Sequence, residues 1–505
     1  MCHYPSFGQK KNSKGSPRLI ADAQAAFEEG HFTDALRDYE LLAASSPESS
    51  LFQLRAGVCL MNLQQPEKAL PYLFKARDQG DVQAFYYIGR AFHMLERLDE
   101  AIDALNMFKV KSEPSVYLQS DVEKQIRIVR TAKKFMSKPH KMNISNLGKN
   151  VNSPYDDYSP VFSADVTEIF FTSRREGGVG NERDTDGDYF EDIYKAELES
   201  GTWQKPENLG TPINSSKHDA VISLSADGQY MLLYRTTVGY SGDLYIAALQ
   251  GDRWSDPEKL NEEINSPYWE PSAALSPDGR EIYFSSNRPG GYGGRDLYVS
   301  RKLPNGEWAK PRNLGPVINT TEDEDAPFMH PDGKTFYFSS RGHENMGSFD
   351  IFSTVKLEDN FWSEPANMGY PINTVGDDIF FVISADNDKG YYSSDKEGGY
   401  GKKDIYRIDL EHQSNTVVLM RGHLLNDSKQ PLGGTLTVMD HTKNIVEGVF
   451  RSNSLTGKYI LVLNAGKSYK IVFEHPEYFM DTELVTLDKD PESTEMVKDV
   501  VLKKK

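Results

Sequence analysis

EPSAALSPDGREIYFSSNRPGGYGGRDLYVSR, residues Glu270–Arg301, recurs five times along this chain in recognisable variants. It reads as strand, turn, strand, glycine loop, strand. Pro277-Asp278-Gly279 is turn chemistry, because the glycine takes positive φ at no steric cost. Glu281–Ser285 carries β-formers, Pro289–Gly294 cannot be helical, and Asp296-Leu297-Tyr298-Val299 opens a third strand. The turn returns as Ser225-Ala226-Asp227-Gly228 and His330-Pro331-Asp332-Gly333, and in weaker form as Ser163-Ala164-Asp165 and Ser384-Ala385-Asp386. Between copies runs a fourth element, from Trp308 through Leu314-Gly315 to Ile318-Asn319, with siblings starting at Trp203, Trp254 and Trp362. Four short strands repeated at roughly 40–50 residues predict the blades of a β-propeller.

The blade pattern spans residues 141–412. Its outer element falls at Leu147, Leu209, Leu260, Leu314 and Met368, and its third strands begin at Asp192, Asp243, Asp296, Asp350 and Asp404. The region therefore opens on an outer strand and closes after a third strand. A ring must join its ends, so Met142–Leu147 is expected to complete the blade containing Ile379–Leu410. Five blades follow, or six if a degenerate one is hidden. The repeats, most clearly SPDGREIYFSSNR and HPDGKTFYFSSR, resemble the TolB-type propeller repeat found in bacterial envelope proteins. The sialidase Asp box also contains Ser-x-Asp-x-Gly, but here Asp and Gly are adjacent and no Trp follows at the required spacing.

Ahead of the blades, residues 16–138 read as helical repeats. Gly30-His-Phe32-Thr-Asp-Ala35 returns as Leu63–Ala69 and as Arg97–Ala101, with the alanines 34 and then 32 residues apart. Gly57 and Gly89 hold small positions where paired helices approach, and larger apolar residues fill the space between hairpins. This resembles three tetratricopeptide repeats, with Ser115–Met136 as a capping helix and Cys59 in the core. After the blades, residues 415–503 keep a period of two. Val417–Leu424, Thr435–Met439, Gly457–Leu463 and Ser468–Phe473 read as strands. Together with Pro431-Leu432 and His475-Pro476-Glu477-Tyr478, they resemble a small carboxypeptidase-regulatory-like β-sandwich. No His-Glu-x-x-His motif accompanies it.

A chain of 505 residues exceeds what one core serves, and about three domains are expected. A formal charge of −18 disfavours nucleic acid and anionic membranes as partners. No apolar run approaches the ~20 residues that span a bilayer. Cys2 and Cys59 are the only cysteines, so no disulfide framework is expected. Residues 1–15 read either as a disordered start or as a signal remnant, with Ser6-Phe7-Gly8 as a small-residue cleavage site and Cys2 as an alternative lipid acceptor.

Tetratricopeptide repeats, a TolB-type propeller and a regulatory-like sandwich in this order resemble OmpA-family, PorE-like periplasmic components of type IX secretion and gliding systems in Bacteroidota. The resemblance implies a non-enzymatic, outer-membrane-associated scaffold that holds envelope proteins through its helical groove and propeller face. Relatives continue into an OmpA-like domain. This chain ends at Lys503-Lys504-Lys505 without one, so peptidoglycan binding is not expected of it.

Two sets of acids are candidate sites. Asp184, Asp186 and Asp188 alternate on a loop with the oxygen ligands that calcium prefers, but without the glycine and closing glutamate of an EF-hand. The other reading is a solvated acidic insertion, and no other cofactor is expected. Asp157, Asp219, Glu270, Glu324 and Asp378 each lie six residues before their turn, at the start of the innermost strand. Gathered at the axis, they would attract a cation or a partner's basic side chain. Alternatively each caps loop amides within its own blade, paired with Arg175, Arg235, Arg288, Arg341 or Lys396. A five-bladed glycan-binding or glycan-cleaving protein is the rival function. It would need carboxylates with unlike roles, whereas these acids are equivalent repeats.

Overall fold

The computed structural model describes residues 17–112, 116–184, 186–236, 242–357, 361–385, 387–410, 417–489, 491 and 493–505. The expected start over residues 1–15 lies outside these, as do Ser115, Asp386 and the boundary at Asn415. The chain divides into two compact units between Ser137 and Lys138. Among the described residues no helix is long and apolar enough to cross a membrane, which says nothing about strands.

The first unit is three helical hairpins. α1 (Pro17–Glu28) pairs with α2 (Phe32–Ser45), α3 (Ser50–Asn62) with α4 (Pro66–Asp78), and α5 (Gln83–Met94) with α6 (Leu98–Lys111). α7 (Val116–Met136) packs on the last hairpin. Ala35, Ala69 and Ala101 are fully buried at equivalent places in the three repeats. A methyl at Gly57 would stand 2.6 Å from Leu73 Cδ2, and one at Gly89 2.6 Å from Leu105 Cγ. The helix pairs close only because these positions carry no side chain. Cys59 sits in the core on α3, where burial pushes its thiol up to about 12.

The second unit opens with β1 (Asn143–Asn146) and forms five blades. Blade 1 holds β2 (Asp157–Phe162), β3 (Glu168–Ser173), β4 (Asp192–Glu199), β5 (Thr202–Trp203) and β6 (Glu207–Asn208). Blade 2 holds β7 (Asp219–Leu224), β8 (Tyr230–Thr236), β9 (Gly242–Gln250), β10 (Arg253–Trp254) and β11 (Glu258–Lys259). Blade 3 holds β12 (Ala273–Leu275), β13 (Glu281–Ser286), β14 (Asp296–Arg301) and β15 (Arg312–Asn313). Blade 4 holds β16 (Glu324–Met329), β17 (Thr335–Ser340), β18 (Asp350–Val355) and β19 (Ala366–Asn367). Blade 5 holds β20 (Asp378–Ile383), β21 (Lys389–Ser394) and β22 (Asp404–Asp409), and its fourth strand is β1.

Closure is therefore a clasp, with Asn143–Asn146 antiparallel to Tyr406–Asp409. The asparagines of the repeat explain its fidelity. Asn146 Nδ2 donates to Asp404 Oδ2 at 2.7 Å. Asn152 brackets Ile405, donating to its carbonyl at 2.9 Å and accepting its N–H at 2.8 Å. Asn367 and Asn373 make the same bonds to Asp350 and Ile351 inside blade 4. The clasp thus repeats a covalently continuous blade, bond for bond.

The C-terminal sandwich contains β23 (Val417–Asn426), β24 (Thr435–Asp440), β25 (Ile445–Arg451), β26 (Lys458–Asn464), β27 (Ser468–Glu474), β28 (Asp481–Thr486), β29 (Glu495–Val497) and β30 (Val500–Leu502). One sheet runs β25-β24-β27-β28; the other pairs β26 with β23, whose far side takes β29 and β30 in parallel. Met420, Leu436, Leu461, Ile471 and Phe473 fill the space between them. Four of these strands were legible in the sequence; β25, β28, β29 and β30 are additional.

The sandwich docks on the propeller turns, and the turn sequences say where. Ala164 and Ala385 pack with Val417, Leu419 and Ile460, and Ala226 packs against the sandwich core. Asp165 Oδ2 accepts from Lys458 Nζ at 2.8 Å, and Asp227 Oδ2 from the Arg451 N–H at 3.0 Å. These are the three Ser-Ala-Asp turns. The two turns with proline, at Pro277 and Pro331, instead line a crevice of about 840 Å³ beside the sandwich. The small alanine side chain lets a second domain approach the turn closely.

Candidate functional site

The five repeated acids do not meet at the axis. Each is fully or almost fully buried inside its own blade. The residue four positions earlier donates both its N–H and its hydroxyl to the carboxylate, as Ser153 does to Asp157 at 2.5 and 2.7 Å. Ser215, Ser266, Thr320 and Thr374 do the same for Asp219, Glu270, Glu324 and Asp378. The axial cation or partner site expected from these five residues is thereby corrected to a set of blade-internal caps. Period-two alternation explains the error, because the offset along the chain is regular whichever side the residue faces.

The cations expected to pair with them do so in three blades. Arg175 reaches Asp157 at 2.5 Å, Arg235 reaches Asp219 at 2.5 Å, and Arg288 reaches Glu270 at 3.3 Å. Arg341 instead turns to Asp323 and Asp377, and Lys396 Nζ donates to Tyr392 Oη at 2.6 Å. Without a guanidinium partner, burial pushes the Glu324 carboxyl up to about 7 and raises Asp378 as well.

The alternating acids of blade 1 are not gathered for calcium either. Asp186 takes a bidentate pair from Arg174 at 2.6 and 2.8 Å, Asp188 pairs with Lys402, and Asp184 lies 3.1 Å from His218 Nε2. Among the described residues no cluster of three His, Cys, Asp or Glu could hold a metal. The three carboxylates serve as ion-pair partners.

What does face the axis lies one residue to either side of the buried acids. A funnel of about 980 Å³ opens on the face where the innermost strands begin. The positions before the acids read Asp156, His218, Trp269, Asp323 and Asp377. Those after them read Tyr158, Ala220, Pro271, Asp325 and Ile379, and those preceding the third-strand aspartates Glu191, Gly242, Arg295, Phe349 and Lys403. All but Asp323 and Gly242 line the funnel. The framing positions hold an acid in every blade, while the wall positions differ from blade to blade. Repetition maintains the frame, and the wall has diverged within one chain.

The divergent residues form a band of alternating charge. Arg295 reaches Asp325 at 3.0 Å and Asp323 at 3.4 Å. Arg341 lies 3.9 Å from Asp323 and 3.8 Å from Asp377, which in turn meets Lys403 at 3.1 Å. Arg295 stacks on Trp269 at 4.7 Å and Arg341 on Phe349 at 4.2 Å. Across the funnel, His218 stands between Glu191 and Asp184, 3.1 Å from each, and Tyr158 donates to Glu191. Burial would lower the His218 pKa, but hydrogen bonding and the charge of Glu191, with Asp184, outweigh it and raise the value.

The innermost strands bulge just below this band. Ser159, Ala326 and Phe380, each two residues past its acid, adopt φ of +53°, +48° and +60°. Such left-handed non-glycine residues re-aim the strand and concentrate beside functional surfaces. Ser159, Ile222 and Phe380 mark the narrowing from the funnel to an apolar cavity of about 110 Å³, which Val462 of the sandwich bounds below.

The tetratricopeptide repeat family matches this chain over residues 20–81 and 62–114. No curated protein matches it. Among solved structures, TolB from Acinetobacter baumannii is similar at 15% identity and a TM-score of 0.34, over 60% of this chain and 72% of that one. A putative TolB from Agrobacterium tumefaciens is similar at 16% identity and a TM-score of 0.32, over 64% and 99%. The type III secretion translocator chaperone SycD of Yersinia enterocolitica is similar at 17% identity and a TM-score of 0.22, over 23% and 84%.

Proposed function

We propose that this protein is a non-enzymatic scaffold of the cell envelope that holds partner proteins in the funnel of its propeller and in the groove of its helical repeats. The observation that carries this reading is the contrast between constant frame and divergent wall. A wall of both charge signs, with stacked aromatics, suits a polypeptide segment of mixed charge, which can exchange the wall's ion pairs for its own. The tetratricopeptide match supports a second protein-binding module in the same chain. Asp325 is held by Arg295 at 3.0 Å and Asp377 by Lys403 at 3.1 Å, an arrangement suited to recognition. The order of domains supports a periplasmic, outer-membrane-associated place in a secretion or gliding apparatus. Cross-linking the whole chain in envelope fractions should yield adducts from funnel residues and from α1–α6. Adducts confined elsewhere, or turnover of a glycan panel by the purified protein, would contradict the proposal.

A further inference from the structure

The crevice beside the sandwich is distinct from the funnel and is built differently. It runs along the open side of the sandwich, between end strands of the two sheets. β25 contributes Val446, Glu447 and Phe450, and β26 contributes Val462 and Asn464. β25 has a hydrogen-bonded neighbour strand on one side only, so its outer row of N–H and C=O groups is available for pairing as far as Phe450, beyond which the Arg451 N–H already donates to Asp227 Oδ2. On the propeller side stand Pro277 and Pro331, which have no N–H to offer.

Charge at this crevice runs against the chain. The protein carries −18 overall, yet five Lys and Arg side chains face four acids around the opening, Asp278, Glu281, Asp332 and Glu447. Arg301 and Lys356 are satisfied by Glu281 at 3.2 and 2.7 Å, and Lys467 by Glu447 at 2.7 Å. Of the lining cations, Arg280 and Lys302 make no ion pair among the described residues, while the lining Asp332 pairs with His330 at 3.2 Å. Burial, and then the nearby charge of Arg451, lower the pKa of Lys302.

We infer that this crevice binds an extended, acidic polypeptide segment of a partner, which adds as a strand to the free edge of β25 and places its carboxylates against Arg280 and Lys302. Only a peptide backbone satisfies an edge of alternating donors and acceptors at a strand spacing of about 4.8 Å. The unpaired cations select its side chains.

The test uses the full chain and two labelled eight-residue probes, alternating Val-Glu and alternating Val-Lys. The Val-Glu probe should bind with an affinity that falls with salt, and should slow amide exchange along β25. Arg280→Glu combined with Lys302→Glu should weaken it by roughly tenfold or more, with the melting temperature recorded beside it to separate lost binding from lost folding. A Val-Glu probe N-methylated at alternate residues should lose binding, as a side-chain contact alone would not. Equal binding of the Val-Lys probe, protection mapping to the funnel, or protection of β25 through self-association would each overturn the assignment.

Discussion

Arg175 Nη2 donates to Asp157 Oδ1 at 2.5 Å, whereas Glu324, the equivalent acid of blade 4, meets no guanidinium among the described residues. At the arginine's place stands Gly342, and His343 Nε2 instead approaches the Ile318 carbonyl at 2.8 Å. One frame position therefore has two electrostatic solutions.

Glu324 should make the fold less stable as pH rises. Its folded pKa of about 7 lies above an ordinary value of ~4.3. The folded state binds the proton more tightly, so stability is fully present below the ordinary value and is lost as pH rises to about 7. Glu324→Gln should remove that loss and stabilise the protein at pH 8, by on the order of 3 kcal/mol at most. Asp157→Asn should cost roughly 3 kcal/mol, because it strands Arg175. Denaturant unfolding from pH 5 to 8 checks both, and a Glu324→Gln curve parallel to the wild type would contradict the assignment.

The clasp should govern the last blade. Removing residues 141–148 from the second unit exposes the edge of β22 and should lower the melting temperature and promote aggregation. Asn146→Ala should do part of this, costing about 1–3 kcal/mol, since the buried Asp404 loses a donor. Equal melting of deleted and complete forms would show that β1 does not hold the ring.

Sandwich docking should depend on the alanine turns. Ala385→Glu buries an unpaired charge against Val417, Leu419 and Ile460 and should split the melting of the second unit into two transitions. Pro277→Ala, at a crevice turn, should leave calorimetry unchanged. Asp165 adds a pH signature. Burial would raise its pKa, but the bond from Lys458, with those from Thr167 and Ser163, holds it at about 2. Its contribution is present above pH ~4 and lost as pH falls through 2. Lys458→Ala should flatten that acid limb.

The propeller was legible because its blades announce themselves in turns, third-strand aspartates and asparagine-bearing outer strands, and the count of those elements alone required the clasp. The buried acids were misplaced because regular spacing reports repetition and not the side a residue faces. The wall residues left a signal of another kind, visible as disagreement among aligned blades at the neighbouring positions. His218, Trp269 and Arg295 could have been found that way. The crevice could not, since it arises from two domains packing together, and only afterwards do the Ala226 and Pro277 turns explain where the sandwich rests. The calcium reading failed at Asp186 because nothing local told that Arg174, twelve residues earlier, would claim it.

We propose the divergent funnel wall as the recognition surface. Arg341 and Trp269 are partly exposed in that wall and are not needed by the frame. The direct measurement is the affinity of a cross-linked envelope partner, once purified, for the wild type and for Arg341→Glu combined with Trp269→Ala, with thermal stability recorded beside it. A loss of roughly tenfold or more is expected at an essentially unchanged melting temperature. Unchanged affinity in the double variant, for every partner cross-linked through the propeller, would contradict it.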